Sequence, residues 1–297
     1  MTDTLAEPGH NLLLAELALQ RQGPDRLRSA GDNGLNLPHV FGGQVLAQAL
    51  LAAGSTVADG KVPHSLHTYF LRAGDTDVPI EYDVRQIRDG RRLSCRAVTA
   101  SQAGREIATV LTSFADTEGS LSHQLDAPDV PDPEQLPEFA DAAAAWGGLG
   151  QGWQGLQAIE VRVDPHRTVP ARRGRAEESV DLVWMRARGA VGSADPLAHA
   201  ALLVYLSDIT LIAAALVPHG VPLGQEEWAG STWNGMSLDH AIWFSRPPVA
   251  DRWLLFRQSS PQAHAGRALA QADIFDQDGQ LVACTRQEGL IFDRRTG

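Results

Sequence analysis

Two hydrophobic patterns alternate along the chain, one with the period of a helix and one with that of a β-strand. Between positions 40 and 57 the apolar residues are spaced by one and three, which predicts a helix with one stripe facing a core. Positions 196 to 216 predict a second, more apolar helix, and 10–22 a short amphipathic one. The stripe of the 40–57 helix consists of Val45, Leu46, Ala49, Leu50 and Ala53.

Each long helix lies in a half of the chain that is otherwise rich in alternating apolar and polar positions. Gly-containing turns separate these stretches, and strand–turn–strand series of this kind predict antiparallel meanders. Residues 23–39, rich in Gly, Asn, Asp and Pro, predict a loop. The predicted strands are 64–72, 80–88, 92–102 and 106–115 in the first half, and 159–163, 179–188, 237–245, 252–259, 267–276 and 281–292 in the second.

Short sequence matches link the two halves at a nearly constant spacing. Phe70-Leu71-Arg72 matches Phe244-Ser245-Arg246, and a Gly-x-x-Ile-Ala pattern at Gly104 matches Gly-x-x-Val-Ala at Gly279. The order of helix and meander also recurs, which favours duplication of one unit over a chance likeness of two mixed halves.

An apolar helix followed by an antiparallel meander suggests a sheet wrapped around the helix, the hotdog arrangement. We therefore expect an α+β protein, a double hotdog with two helix-wrapped sheets. The expected boundaries are 1–117 for the first repeat, 118–157 for a connecting segment with one short helix, and 158–297 for a second repeat that carries the candidate catalytic residues.

Asp208 is the most informative polar residue. Its neighbours three, four and seven positions away in the predicted helix are all apolar or aromatic: Ala201, Val204, Tyr205, Leu211, Ile212 and Ala215. A carboxylate on such a stripe points into packed protein, where an unpaired charge costs several kcal/mol. This favours an active-site acid over an Asp that merely caps or bridges in the core. Its neighbour Ser207 points in another direction and is given no role.

Gln287 and Ser237 are weaker candidates. Gln287 is the most polar group on one face of the last strand, although a solvated Gln at the sheet end is an equal alternative. Ser237 is expected to open a strand on the same face as Asp239, with His240 on the opposite face. No nucleophile-elbow motif surrounds any serine, which disfavours an acyl-enzyme hydrolase with a Ser-His-Asp triad.

The remaining reactive residues indicate structural roles. The ten histidines show no metal-binding spacing, and His64, His67 and His240 are interpreted as structural. Cys95 and Cys284 are predicted to be buried small hydrophobes. Gly42 and Gly43 open the first long helix and allow close backbone approach beside free N–H donors, but no dinucleotide motif is present.

Length, composition and charge narrow the class of protein. At 297 residues, 43% hydrophobic and 21% charged, the chain suits about two domains of a globular protein. A net charge of -11 disfavours nucleic acid as a partner. The apolar runs, such as 211–217, are too short for a membrane span, and no signal peptide is visible. Two cysteines fit a reducing, cytoplasmic location.

With these motifs taken together, the sequence resembles the bacterial acyl-CoA thioesterase II family, double-hotdog enzymes with peroxisomal relatives. The resemblance runs from about Leu12 to Phe292. It rests on Val40-Phe41-Gly42-Gly43-Gln44, on 64–72 with Gly74-Asp75, on Asp239-His240 with Trp243-Phe244 and Arg246-Pro247, on Gln287-Glu288-Gly289, and further on 183–186 and Leu206-Ser207-Asp208.

The resemblance implies hydrolysis of acyl-CoA to a free fatty acid and CoA, with no cofactor, since CoA is part of the substrate. The family's catalytic Asp, hydroxyl residue and Gln fall on Asp208, Ser237 and Gln287, although bacterial members often have Thr where this chain has Ser237. All three lie in the second half, so the first half is expected to have lost the matching chemistry. They would hold one water, with Asp208 as general base.

Several points stay open. A hotdog acyl-CoA binding or sensing module without turnover, and a hotdog enoyl-thioester hydratase or dehydratase, are alternative functions. The basic cluster at 170–175 is interpreted as a solvated loop rather than as a site for the CoA phosphates. Sheet edges invite pairing, so we expect a homo-oligomer, a dimer or a tetramer.

Overall fold

The structure is a computed structural model that describes residues 4–5, 11–30, 37–58, 60–116, 119–150, 153, 156–165, 180–191, 195–225 and 233–293. Helices are few among these residues. Two of them are long and match the predicted ones. The helices are α1 (Leu12–Glu16), α2 (Gly42–Gly54), α3 (Phe139–Ala143) and α4 (Pro196–Ile209).

The strands all pair antiparallel and follow the predicted meanders closely. In the first half they are β1 (Thr4–Leu5), β2 (Leu19–Arg21), β3 (Arg26–Ser29), β4 (Val62–Phe70), β5 (Glu81–Asp89), β6 (Leu93–Gln102) and β7 (Arg105–Ala115). In the second half they are β8 (Ile159–Val163), β9 (Val180–Ala187), β10 (Trp233–Ser237), β11 (Asp239–Phe244), β12 (Leu254–His264), β13 (Arg267–Asp276) and β14 (Leu281–Asp293).

Strand order repeats itself between the halves. Within the described part of the chain the sheet runs β1-β2-β3-β5-β6-β7-β4-β11-β14-β13-β12-β9-β8, with β10 also paired to β14. The path β2-β3-β5-β6-β7-β4 therefore matches β8-β9-β12-β13-β14-β11, and the two join where His67 of β4 lies opposite Ala241 of β11. This arrangement confirms the predicted α+β double hotdog.

The two long helices lie side by side on the inner face of this sheet and run antiparallel. The amino end of α2 at Gly42 lies against Asp208 near the end of α4, while Gly54 at the other end of α2 lies against Leu197 at the start of α4. Every residue of α2 from Gly43 to Ala53 is buried, and so is α4 from Ala198 to Asp208. Their many alanines let helix and sheet approach closely, and one hydrophobic core spans both halves.

Local signals explain where α4 begins but not where it ends. Asp195 accepts a hydrogen bond from the Leu197 amide as N-cap, and Pro196 occupies the first turn, where no N–H is needed. The predicted helix over 196–216 is too long, because the α-helix ends at Ile209 and 3₁₀ turns follow at Ile212–Ala215 and Val217–His219. Asp208 thus lies in the last turn, not mid-helix.

Contrary to the expectation that the apolar runs are too short, the segment Pro196–His219 is long and apolar enough to cross a membrane by length and composition alone. In the structure 94% of its most apolar window is buried inside the protein. We therefore identify it as a core helix.

Two predictions near the amino terminus are wrong. The helix expected over 10–22 is only Leu12–Glu16, and β2 follows it. The loop expected over 23–39 contains β3, in which Leu27 and Ser29 are buried while Arg26 and Arg28 are exposed. This four-residue alternation was hidden because turn-forming residues flank it on both sides.

The connecting segment contains the expected short helix, α3, but it does more than connect. Its residues Ala127, Val130 and Leu136 pack on Trp184, Trp253, Leu255 and Phe275. The Trp184 indole donates to the Pro131 carbonyl, and the Trp253 indole donates to Glu134 at 2.7 Å. The segment therefore covers part of the second half of the sheet.

Candidate active site

Asp208 is buried, with 6% of its surface exposed, as the apolar stripe predicts. Its position in the last turn of α4 is unfavourable for a carboxylate, because the carbonyl end of a helix repels negative charge. The amino end of α2 faces it and compensates. No side chain among the described residues caps this end of α2, so its free N–H groups and dipole favour an anion there.

Gln287 joins Asp208 to Ser237. Its side-chain amide nitrogen donates to Asp208 Oδ1 at 2.6 Å and to Ser237 Oγ at 2.8 Å. Gln287 is fully buried on the inner face of β14, together with Ala283 and Thr285, which confirms the face assigned to it. The three residues predicted from the sequence are thus brought into one hydrogen-bonded unit.

Ser237 reaches this unit by a route that the sequence pattern did not predict. It does not open a strand that continues to residue 245. It ends β10, where it pairs with Gly289, and Leu238 separates it from β11. This interruption shifts the alternation by one residue, so Ser237 and His240 both face inward, and the prediction that they lie on opposite faces is wrong.

His240 and Ser207 are functional-site neighbours that the sequence reasoning missed. The His240 ring is fully buried, and its Nδ1 lies 3.7 Å from Asp208 Oδ1. Its Nε2 lies 3.0 Å from both Ser207 Oγ and Thr285 Oγ1. An available signal was the polar pair Ser207-Asp208 within an apolar helix, because a buried hydroxyl needs a partner.

A cavity of about 410 Å³ opens beside this unit, and both halves of the chain line it. Asp208 and Ser237 lie on its wall, as does Gly42 at the amino end of α2. Apolar side chains make up most of the remaining wall, including Val45, Phe70, Ile107, Leu156, Ile212 and Met236. His240 does not line it, so the imidazole touches the carboxylate but not the cavity.

The start of α2 lies so close to the Asp208 carboxylate that position 42 has no room for a side chain. A Cβ added to Gly42 would lie 2.8 Å from Asp208 Oδ2 and 2.9 Å from a ring carbon of Phe70. Real side chains do not approach this closely, so the carboxylate and the start of α2 can meet only because position 42 is glycine.

The matching place in the first half carries different chemistry. By strand register Thr112 of β7 corresponds to Gln287, and its hydroxyl donates to the Ser65 carbonyl at 3.0 Å. At the other end of the helix pair, where Asp208 and Gly42 have their counterparts, the Leu197 side chain packs against Gly54. An apolar contact thus replaces the acid.

The other residues considered from the sequence have structural contacts. His64 Nε2 lies 2.9 Å from Ser113 Oγ, and the His67 ring packs edge-on against Trp243. Cys95 and Cys284 are free and half-buried rather than buried. Burial, with Asp273 beside it, raises the pKa of Cys284 to about 11, so this thiol stays protonated. The basic cluster at 170–175 lies outside the described residues.

Comparison with known protein families gives two matches along the chain. Residues 34–115 match the model of an acyl-CoA thioesterase N-terminal domain, and residues 131–291 match that of an acyl-CoA thioesterase C-terminal domain. The two matched ranges together cover most of the sequence, and each contains one of the long helices.

Similar proteins include acyl-CoA thioesterase 2 of Haemophilus influenzae, which is 37% identical over 86% of this chain and 89% of that protein. Human acyl-coenzyme A thioesterase 8 is 34% identical over 85% of this chain and 80% of its own length. Among solved structures, the acyl-CoA thioesterase II TesB2 of Mycobacterium marinum superposes with a TM-score of 0.75 at 35% identity, covering 94% of this chain and 97% of that one.

Proposed function

The chain belongs to the acyl-CoA thioesterase family, and we propose that Asp208, Ser237 and Gln287 hold and activate the water with which it hydrolyses fatty acyl-CoA. The observation that carries this proposal is the hydrogen-bonded unit at the cavity wall. Gln287 uses both of its amide protons on Asp208 and Ser237. A carboxylate and a hydroxyl are thereby fixed side by side at one place on the cavity surface.

The balance of atoms in the reaction is simple. Asp208 takes one proton from the water, and the water oxygen forms a bond to the thioester carbonyl carbon. The carbon–sulfur bond then breaks, and the proton on Asp208 passes to the leaving sulfur to give the CoA thiol. Positioned proton transfer of this kind accelerates a reaction by roughly 10²–10⁴-fold.

Ser237 completes the water site. Its oxygen accepts from Gln287, so its own proton is available to a molecule in the cavity. A water that accepts from Ser237 and donates to Asp208 has its remaining lone pair free for attack. A threonine would supply the same hydroxyl.

Negative charge develops on the carbonyl oxygen during attack and needs donors. The amino end of α2 at Gly42 and Gly43 is the candidate, because it lies at the same cavity wall and no side chain in the described part of the chain caps it. The thioester would therefore lie between Asp208 and the start of α2, with the acyl chain along the apolar cavity wall.

An assay of acyl-CoA turnover in ¹⁸O-labelled water tests the function. We expect one free thiol and one ¹⁸O-labelled fatty acid for each acyl-CoA consumed. A binding or sensing module would retain acyl-CoA without thiol release. A hydratase would change the absorbance of an enoyl thioester without thiol release, and either result would contradict the proposal.

A further inference from the structure

The hydrogen bonds around His240 determine which of its ring nitrogens carries a proton. The Ser207 hydroxyl lies 2.8 Å from the Val204 carbonyl, and the Thr285 hydroxyl lies 2.9 Å from the Ala241 carbonyl. A hydroxyl has a single proton to donate, and a carbonyl can only accept. Both hydroxyls therefore face His240 with lone pairs.

It follows that Nε2 of His240 is a donor. It lies 3.0 Å from both hydroxyl oxygens, and it can pair with two acceptors only if it carries hydrogen. In a neutral imidazole this leaves Nδ1 as a bare lone pair. Nδ1 is buried, has no hydrogen-bond partner among the described residues, and faces Asp208 Oδ1 at 3.7 Å.

A lone pair facing a carboxylate in a buried site is unfavourable, because neither atom has a proton to share. A single proton between Nδ1 and Oδ1 removes the conflict. Resting on the proposed function, we propose that His240 is a positioning residue that holds a proton against Asp208 Oδ1 and leaves Oδ2 as the basic atom toward the cavity.

The surroundings of Asp208 agree with these different roles for Oδ1, which contacts His240, and Oδ2, which acts as the base. Oδ1 accepts from Gln287 at 2.6 Å and faces His240, both on the sheet side. Oδ2 instead faces Gly42, whose backbone lies on the cavity wall. The proton from the attacking water is therefore received by Oδ2.

His240 lies 3.7 Å from Asp208. The other described groups that face these two residues come from α4, from the strands and from the cavity wall. From α4, Tyr205 stays protonated, since burial and then the charges of Glu16 and Asp208 raise its pKa. From the strands, Thr68, Thr285 and Gln287 are neutral. Among the described residues of the cavity wall, His39 and Arg72 are the titratable side chains besides Asp208.

Nitrogen NMR of the resting protein tests the proton directly, without substrate. In ¹⁵N-histidine-labelled protein, the His240 signals are assigned by their loss in His240→Gln. At pH 7 we expect both ring nitrogens to report a proton, and in Asp208→Asn we expect the Nδ1 proton to be lost while Nε2 keeps its own. A neutral ring in the unmodified protein, or a proton on Nδ1 alone, would overturn the proposal.

Kinetics provide a second readout that a merely structural role would not move. His240→Asn keeps an N–H near the position of Nδ1 but cannot carry a positive charge. We expect the acidic limb of the kcat/KM profile to move to higher pH, because the variant lacks the cation that favours the ionised carboxylate. His264→Asn, at an exposed histidine, is the control and should leave the profile unchanged.

An equal fall of kcat/KM at every pH would show that His240 only supports packing, and would contradict the proposal. The two experiments also separate it from the proposed function. If Asp208→Asn retained full thiol release while the ring proton was found on Nδ1, the catalytic assignment would fail but the proton-holding pair would stand.

Discussion

Three polar side chains form one hydrogen-bonded unit beside the cavity, and two of them, Asp208 and Ser237, lie on its wall. Asp208 supplies the charge, Gln287 orients it with one amide proton, and Ser237 receives the other. The bond to Asp208 is buried and the bond to Ser237 is partly buried, so loss of the Gln287 donor leaves two acceptors without this partner, which is costly. This interdependence makes the chemistry of each residue testable by small changes.

Ser237 gives the sharpest of these tests, because its hydroxyl can be kept or removed. Ser237→Thr retains the hydroxyl and should keep most of kcat/KM. Ser237→Ala loses the donor to the water and should lower kcat by roughly 10²-fold or more. Steady-state thiol release from an acyl-CoA measures both. Equal activity in the Ala and Thr variants would exclude a role for the hydroxyl.

Sequence pattern located parts of this site for physical reasons. Asp208 is conspicuous because its helical neighbours are all apolar, and Gln287 because its strand face is apolar or small. Ser237 gives a weak pattern by itself, and its role was suggested only by the family resemblance. The inward position of His240 was not predicted. It depends on the break between β10 and β11 at Leu238, and no local sequence pattern marks that break.

Among the secondary-structure elements, the two long helices were predictable and their ends were not. Periodicity fixes which residues face the core, but the end of α4 at Ile209 depends on 3₁₀ turns packed against the sheet. The short β3 exists because Leu27 and Ser29 are buried at its place in the sheet, a tertiary effect stronger than the turn-forming residues around it.

The close meeting of α2 with α4 yields a prediction for Gly42→Ala. The added methyl would lie 2.8 Å from Asp208 Oδ2, so the carboxylate or the start of α2 must move. A shift of about 1 Å is enough to cost roughly 10²-fold in rate, so we expect kcat to fall by about that factor. Thiol release measures the effect.

Gly119→Ala is the matched control for that substitution. A Cβ at Gly119 would meet no atom of the described residues within 4 Å, and the residue is exposed. It should leave both activity and stability unchanged. If Gly42→Ala were as active as Gly119→Ala, the close packing at the start of α2 would have no part in catalysis.

At the scale of the whole molecule, one sheet and one core join the two halves through β4 and β11, so local changes act on the stability of the entire chain. A second buried acid, Asp181, is expected to change the stability of the entire chain in this way. Burial raises the pKa of Asp181 to about 6, and its Oδ2 has no hydrogen-bond partner among the described residues. Its cross-strand neighbour Gln258 is likewise buried, and its Oε1 has no hydrogen-bond partner in the described part of the chain.

Asp181 should make folding less favourable as pH rises. The folded protein holds its proton up to about pH 6, whereas an exposed Asp loses it near 3.8. The contribution of Asp181 to the free energy of unfolding should therefore fall by up to about 3 kcal/mol between about pH 4 and pH 6. Above pH 6 this contribution should not change further. Urea unfolding at a series of pH values measures this.

Asp181→Asn isolates that contribution. The amide cannot ionise and can donate to Gln258, so the variant should lose the decrease between pH 4 and pH 6 and be more stable than the unmodified protein above pH 6. An identical pH dependence in both proteins would contradict the assignment. Since Asp181 does not line the cavity, thiol release should be unaffected.

Thiol release by Asp208→Asn tests the proposed role of Asp208 as general base most directly. Asp181→Asn is the control for replacing a buried Asp by Asn. Asparagine keeps the shape and a hydrogen-bonding oxygen but cannot accept a proton from water. We predict a fall in kcat of roughly 10²–10⁴-fold in Asp208→Asn with unchanged folding, and near-normal turnover in Asp181→Asn. Near-normal turnover in Asp208→Asn would contradict the proposal that Asp208 activates the water.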